Sequence, residues 1–122
     1  MTTVDPRNQD ILVYVNGELK PRAEARVSVF DSVVQGGDAV WEGLRVYRSR
    51  IAALSAHLAR LHNSAKALAF DAVPATQEIR AAVFETLKAN DMRDGAHIRL
   101  TLTRGEKITS GMNPKLNRSG CS

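Results

Sequence analysis

A row of apolar residues recurs every three or four positions in the middle of the sequence. Its members are Leu54, Leu58, Leu61, Ala65 and Leu68. This spacing places the five side chains on one face of an α-helix, and that face must pack against the rest of the chain. Pro74 interrupts the pattern, and Thr76 is a candidate N-cap for a second helix. The second helix has its own apolar row, which consists of Ile79, Val83, Phe84 and Leu87.

A β-hairpin is predicted near the start of the chain. Residues 11–15 form a short apolar run that is rich in strand-forming residues. Asn16-Gly17 follows this run, and this dipeptide is the strongest short-range indication of a two-residue hairpin turn. The return strand is predicted over residues 18–20, and Pro21 ends it.

Three further strands complete the expected pattern. Residues 26–30 and 44–47 are predicted strands that precede the helices. After the second helix, residues 97–103 alternate polar and apolar side chains, so one face of this strand is buried and the other is exposed. Strands, then two helices, then a strand predict an α+β fold with a mainly antiparallel sheet.

The composition restricts the class of protein. A chain of 122 residues with 43% hydrophobic residues can form one compact domain. The net charge of +4 comes from scattered basic residues, which argues against a nucleic-acid-binding surface. No apolar run is long enough to cross a membrane, and the N-terminus does not resemble a signal peptide. The single cysteine, Cys121, fits a cytoplasmic protein, and one cysteine with three scattered histidines predicts no metal site.

Several polar residues occupy positions from which they could bind a ligand. His57, Arg60 and Ser64 form a polar row beside the leucines of the first helix, and an arginine there can hold a phosphate through its planar set of donors. Arg99, on the polar face of the last strand, could bind a carboxylate. Trp41 could line a pocket. From the residues alone, solvent-exposed arginines and a core tryptophan explain these positions at least as well.

Four segments carry a more specific pattern. They are the hairpin Val13–Glu18, the segment VWEGLRVY at 40–47, the segment HLARLHNSA at 57–65, and the strand and loop at 97–117. In this order they resemble the N-terminal domain of the class IV aminotransferases, which are fold-type IV enzymes that use pyridoxal 5'-phosphate (PLP). The resemblance covers residues 12–120. The family includes branched-chain and D-amino acid aminotransferases and aminodeoxychorismate lyase.

Five residues are predicted to bind the cofactor or the substrate. In this family the arginine of the helix motif contacts the cofactor phosphate, which implies that Arg60 binds PLP. The aromatic residue before Glu-Gly lines the substrate pocket, which implies this role for Trp41 and for the neighbouring Gly43. We expect His97 and Arg99 to project into the same pocket from one strand face, with Arg99 binding a substrate carboxylate.

The resemblance also implies a two-domain parent protein. We expect residues 1–10 to be a flexible arm and residues 11–122 to be the N-terminal domain. The second domain, absent from this sequence, would hold the lysine that carries the cofactor and the acidic partner of the pyridine nitrogen. We therefore predict no catalytic residue in this chain, which would be inactive alone. The parent would be a homodimer that moves an amino group between an amino acid and a 2-oxo acid.

Other functions remain open on the sequence alone. Branched-chain members commonly have tyrosines where Gly36 and His97 stand here, which argues against a branched-chain substrate and leaves room for a more polar one. An enzyme similar to aminodeoxychorismate lyase is the alternative within the family. Outside it, the chain could be a non-catalytic interaction domain, and an RNA-binding module is the poorest alternative.

Overall fold

The computed structural model describes residues 3–109 and 113–117, and it has the α+β architecture that the sequence predicts. Its strands and helices, in chain order, are β1 (Leu12–Val15), β2 (Glu18–Pro21), α1 (Ser32–Gly36), β3 (Ala39–Tyr47), β4 (Arg50–Ile51), α2 (Leu54–Ala67), α3 (Thr76–Ala89) and β5 (Ala96–Thr103). Short 3-10 turns occupy Pro6–Asn8, Arg22–Glu24 and Pro114–Leu116. The strands form two antiparallel sheets, one of β1 and β2 and one in the order β4-β3-β5.

The predicted hairpin is present and is attached to the rest of the domain through one side chain. Asn16 and Gly17 have φ values of 50° and 88°, the left-handed conformation that a tight turn between β1 and β2 requires. The Leu12 amide donates to Oδ1 of Asn90 at 2.7 Å, and Nδ2 of Asn90 donates to the Leu12 carbonyl at 2.9 Å. Because Asn90 lies at the end of α3, this pair of bonds anchors β1 to that helix.

Strand β3 is the central strand of the larger sheet. It pairs with β5 from Ala39↔Thr103 to Val46↔Ala96, whereas β4 pairs only with Val46 and Tyr47. Side chains alternate along β3 between a buried inner face and an exposed outer face. The strand is longer than the predicted strand at 44–47, because it also includes the segment that begins at Ala39.

Both predicted helices pack through their apolar rows. The buried residues of α2 and α3 are Leu54, Leu58, Leu61, Ala65, Ile79, Val83 and Leu87, and they join the inner face of the sheet in one core. Two residues that were predicted to belong to these apolar rows are not buried. Leu68 follows the end of α2 and Phe84 lies at the flank of α3, so each keeps 43% of its surface exposed. Thr76 is the first residue of α3, and the N-cap position belongs to Ala75.

The prediction of a strand at residues 26–30 is wrong. Val27 and Val29 alternate as in a strand, but the segment pairs with no strand among the described residues. Val27, Val29 and Phe30 are exposed by 49%, 63% and 61% of their surfaces. Apolar alternation forms a strand only where another strand supplies a series of hydrogen-bond partners. Here the Phe30 carbonyl accepts one bond, from the Lys107 amide at 2.7 Å, and no ladder extends over residues 26–29 among the described residues.

A short helix that the sequence did not predict follows this segment. Oδ1 of Asp31 accepts a hydrogen bond from the Val33 amide at 2.9 Å, which caps the N-terminus of α1. Oδ2 of Asp31 accepts from the Thr103 hydroxyl at 3.0 Å. This second bond joins α1 to the end of β5 and explains why Thr103 is buried although it was expected on the polar face. Gly37 ends the helix with a φ of 68°.

The buried row of α2 supports a prediction about stability. Leu61 is completely buried, so Leu61→Ala removes packed apolar surface and leaves a cavity. We expect the free energy of opening of the α2 amides to fall by about 2–5 kcal/mol. Native-state hydrogen exchange measures this quantity. Leu68→Ala is the matched control, because Leu68 keeps 43% of its surface exposed and lies outside the buried core. Equal losses in the two variants would contradict the assigned packing.

Candidate functional site

The four predicted substrate-binding residues lie together on the outer face of the larger sheet. Trp41 and Gly43 occupy alternate positions of β3, and His97 and Arg99 occupy alternate positions of β5. The strand register pairs Gly43 directly with Arg99, and the pair Arg45–His97 follows on the same face. The register therefore places residues that are more than 50 positions apart in sequence on one surface.

Close contacts connect these four residues. The guanidinium carbon of Arg99 lies 4.3 Å from the centroid of the Trp41 ring, which is a cation–π arrangement. A Cβ added to Gly43 would lie 3.0 Å from Nε2 of His97 and 3.6 Å from Cζ3 of Trp41. The absence of a side chain at Gly43 therefore leaves room for the His97 ring and the Trp41 ring beside this position of the strand.

The outer face is cationic. Its β3 positions also include Arg45 and Tyr47, which are both exposed. The outward positions of β3 and β5 carry no carboxylate, so their arginines have no acidic neighbour on these two strands. Such a face suits a carboxylate ligand. Arg45 and Tyr47 were not predicted as site residues, although the alternation that gave Trp41 and Gly43 includes both.

Arg60 does not lie on this face. It belongs to α2, which covers the inner face of the sheet, and its side chain bonds to Glu42 of β3. Nε of Arg60 donates to both carboxylate oxygens of Glu42, at 3.0 and 2.9 Å, and Nη2 donates to Oε1 at 2.7 Å. The Glu42 side chain is 5% exposed, whereas that of Arg60 is 67% exposed.

His57 is a second partner of the same carboxylate. Its Nδ1 lies 2.6 Å from Oε1 of Glu42. An ionised carboxylate only accepts hydrogen bonds, so this contact requires the proton on Nδ1. The 3.4 Å approach of Arg60 Nη2 to the same nitrogen is then a contact between two donors and not a hydrogen bond.

Glu42 is a further site residue that the sequence-based prediction missed. The indication was present, because strand alternation places a carboxylate at an inward position between Val40 and Leu44. The hydrogen bonds from Arg60 hold the pKa of Glu42 below its ordinary value of 4.5. Burial raises that pKa, and the bond from His57 lowers it further. In turn, Glu42 raises the pKa of the Arg60 guanidinium.

A second arginine fixes the position of α2 against the sheet. Arg104, which follows β5, donates to the carbonyl oxygens of Leu68 at 2.7 Å and Ala69 at 3.2 Å, just after the end of α2. Its Nε also bonds to Asp38, which precedes β3. The guanidinium carbon lies 4.7 Å from the ring centroid of Phe70. Arg104 therefore joins the end of α2 to the start of β3.

Two kinds of feature are not found in the described part of the chain. Residues 3–109 and 113–117 contain no group of three histidine, cysteine, aspartate or glutamate side chains that could hold a metal ion. No helix in these ranges is long and apolar enough to span a membrane. Cys121 lies outside the described residues.

Comparison with known proteins identifies the family. The model of the family "Amino-transferase class IV" matches residues 39–118, which include β3, α2, α3 and β5. The chain belongs to the class IV aminotransferases. It is 60% identical over 117 residues to branched-chain-amino-acid aminotransferase-like protein 1 of Arabidopsis thaliana. It is 35% identical over 109 residues to a D-alanine aminotransferase of Bacillus licheniformis.

A solved structure has the same fold as this aminotransferase domain. The T.th. branched-chain amino acid aminotransferase, complexed with N-(5'-phosphopyridoxyl)-L-glutamate, is 32% identical and superposes with a TM-score of 0.80. The match covers 93% of this chain and 39% of the solved one. The match to the Arabidopsis protein covers 96% of this chain and 21% of that protein. The match to the Bacillus enzyme covers 85% of this chain and 38% of that enzyme. It therefore spans less than half the length of these relatives.

The lowered pKa of Glu42 predicts how the stability of this aminotransferase domain depends on pH. A carboxyl group whose pKa is lower in the folded state stabilises the fold above its ordinary pKa of 4.5, and this contribution is lost as the pH falls through the folded-state pKa. We expect Glu42→Gln to lower the melting temperature of the full-length protein at pH 7. The difference from wild type should narrow as the pH falls below 4.5, where the carboxyl group is protonated in the unfolded chain, and should disappear as the pH falls through the lower folded-state pKa of Glu42.

The melting temperature of both proteins as a function of pH tests this prediction. The exposed Glu85 of α3 supplies the control, and Glu85→Gln should follow the wild-type curve at every pH. If the difference in melting temperature between Glu42→Gln and wild type stays constant from neutral to acidic pH, the ionised state assigned to Glu42 is wrong.

Proposed function

We propose that the parent protein is a PLP-dependent aminotransferase that moves an amino group between an amino acid and a 2-oxo acid. In this proposal, the outer sheet face supplies one wall of the substrate pocket. The observation that carries it is the convergence of Trp41, Gly43, His97 and Arg99 on one exposed face of a class IV aminotransferase domain. The solved relative bound to a phosphopyridoxyl derivative of glutamate supports both the cofactor and an amino acid substrate.

The proposed role of Arg99 is to bind a substrate carboxylate. The outward positions of β3 and β5 carry Arg45 and Arg99 and no acidic residue, so a carboxylate there gains two cationic neighbours. The contact with Trp41 holds the Arg99 guanidinium against the sheet, which reduces the conformational freedom that binding would otherwise remove. The cationic character of this face favours a polar, acidic amino donor or acceptor.

The donor groups of Arg60 fit a phosphate. Glu42 engages Nε and Nη2, whereas Nη1 of Arg60 has no hydrogen-bond partner within residues 3–109 and 113–117. The exposed guanidinium therefore retains donors that a phosphate oxygen can use. When bound, PLP supplies an electron sink for the reacting amino acid. Arg60 would hold its phosphate, and the outer face would orient the substrate and exclude water from one side.

The shape of the sheet supports a ligand that contacts both regions. Because β4 pairs only with Val46 and Tyr47, the edge of β3 beside Glu42 has no strand partner in the described part of the chain. A ligand at this open edge can approach the outer face on one side. On the other side it can approach the exposed guanidinium that Glu42 holds.

We also propose that this chain alone does not catalyse transamination. The lysine that carries the cofactor would belong to a second domain, outside residues 11–122, and residues 1–10 would be an arm. The outer face of β3 and β5 carries no lysine, which supports this view. The parent would be a cytoplasmic homodimer, and the exposed apolar side chains of Val27, Val29, Phe30 and Val34 are consistent with a surface that a partner covers.

The carboxylate-binding role of Arg99 predicts a substrate-dependent effect. Lysine keeps the positive charge but cannot form the planar pair of hydrogen bonds that a guanidinium offers to a carboxylate. In the full-length enzyme, Arg99→Lys should raise the KM for a dicarboxylic 2-oxo acid about tenfold, and the KM for a monocarboxylic one much less. Steady-state kinetics with both substrates measure this. Arg80→Lys, on α3, is the control, and equal effects of Arg99→Lys on both substrates would refute the assignment.

The phosphate-binding role of Arg60 predicts a loss of cofactor affinity. Arg60→Ala should raise the dissociation constant of PLP about tenfold or more, as measured by equilibrium titration of the full-length protein. This change also leaves the buried Glu42 carboxylate without its main partner. The double variant Arg60→Ala/Glu42→Gln removes that charge, and we expect it to bind PLP as weakly as Arg60→Ala. Wild-type affinity in the double variant would show that Arg60 does not hold the phosphate.

A further inference from the structure

We infer that Glu42 is a positioning residue that acts through Arg60, so that only the Nη1 end of the guanidinium is offered to the cofactor phosphate. The inference rests on the proposed function, because it assumes that Arg60 binds the phosphate. It adds a residue whose side chain lies on the opposite face of the sheet from the substrate wall. Its basis is the set of hydrogen bonds among Glu42, His57 and Arg60.

The hydrogen bonds between Arg60 and Glu42 restrict the direction from which a phosphate can bind to Arg60. A guanidinium offers one side edge through Nε and Nη2, and an end through Nη1 and Nη2. Glu42 occupies the side edge, because Nε donates to both of its oxygens and Nη2 donates to Oε1. A phosphate must therefore meet Arg60 at the end. This end carries Nη1, which has no partner among the described residues.

Glu42 is itself held rigidly. It lies at an inward position of the central strand, with Val40 and Leu44 buried on either side of it. The His57 imidazole supplies a second hydrogen bond at 2.6 Å from α2, so two side chains one helical turn apart hold the carboxylate. A long, exposed arginine side chain would otherwise occupy many rotamers. The carboxylate therefore selects one of them.

The same strand connects the phosphate arginine to the substrate wall. Trp41 and Gly43, the chain neighbours of Glu42, point to the outer face. A displacement of β3 would therefore move the pocket wall and Arg60 together. One segment of backbone would therefore set the position of both the pocket wall and the arginine that would hold the phosphate.

Glu42 could position Arg60 or could only neutralise its charge, and the two roles predict opposite effects of removing Glu42 on the affinity for a phosphate. If Glu42 only weakened the positive charge of Arg60, its removal would strengthen the attraction for a phosphate dianion. If Glu42 positions the guanidinium, its removal increases the freedom of Arg60 and weakens phosphate binding. The sign of the change in affinity therefore separates the two roles.

The experiment compares PLP with pyridoxal, which lacks the phosphate, in the full-length protein. The selectivity, defined as the dissociation constant of pyridoxal divided by that of PLP, reports phosphate binding, whereas general damage to the fold weakens both ligands. We expect Glu42→Ala to lower the selectivity about tenfold. Glu42→Gln, which keeps one acceptor oxygen, should lower it about threefold and serves as the test if the alanine variant does not fold. The control variant Glu85→Ala should match wild type.

A double variant tests whether Glu42 acts through Arg60. In the Arg60→Ala background, Glu42→Ala should not change the selectivity further, because the residue through which it acts is absent. If Arg60→Ala lowers the selectivity but both Glu42 variants leave it unchanged or raise it, the positioning role is wrong and the phosphate role stands. If Arg60→Ala itself leaves the selectivity unchanged, the proposed role of Arg60 fails first.

Discussion

The alternation of side chains along β3 is the constraint on which both parts of the site depend. Leu44 and Val46 must point inward to complete the core, so Trp41 and Gly43 must point outward. A shift of one residue in the pairing with β5 would bury the tryptophan and expose the leucine. The free energy of the hydrophobic core therefore holds the proposed substrate-binding residues on the outer face, although these residues contribute little burial themselves.

The inward position of Glu42 is the one place where this pattern carries a charge. A buried carboxylate is costly unless it is paired and hydrogen-bonded, and Arg60 and His57 meet that requirement from α2. A leucine at this position would satisfy the core without either partner. The presence of the ion pair is thus better explained by the orientation of Arg60 than by stability.

The sequence predicted the elements whose pattern is local. The leucine row of α2, the Asn16-Gly17 turn and the alternation of β5 each follow from neighbouring residues, and the structure confirms them. Residues 26–30 have a local strand pattern but no neighbouring strand, and this depends on the rest of the fold. Likewise, α1 depends on Asp31, whose second oxygen bonds to Thr103, 72 positions away. The partners of Glu42, Arg60 and His57, likewise come together with it only when α2 packs on β3.

A crystal structure of the full-length protein with PLP and an unreactive dicarboxylic substrate analogue tests the central claim most directly. The account predicts one carboxylate of the analogue within hydrogen-bond distance of the Arg99 guanidinium, against the outer face of β3 and β5. It also predicts the cofactor phosphate at the Nη1 end of Arg60, with Glu42 still bound to Nε and Nη2. An analogue bound away from the outer face, or a phosphate held without Arg60, would contradict the account.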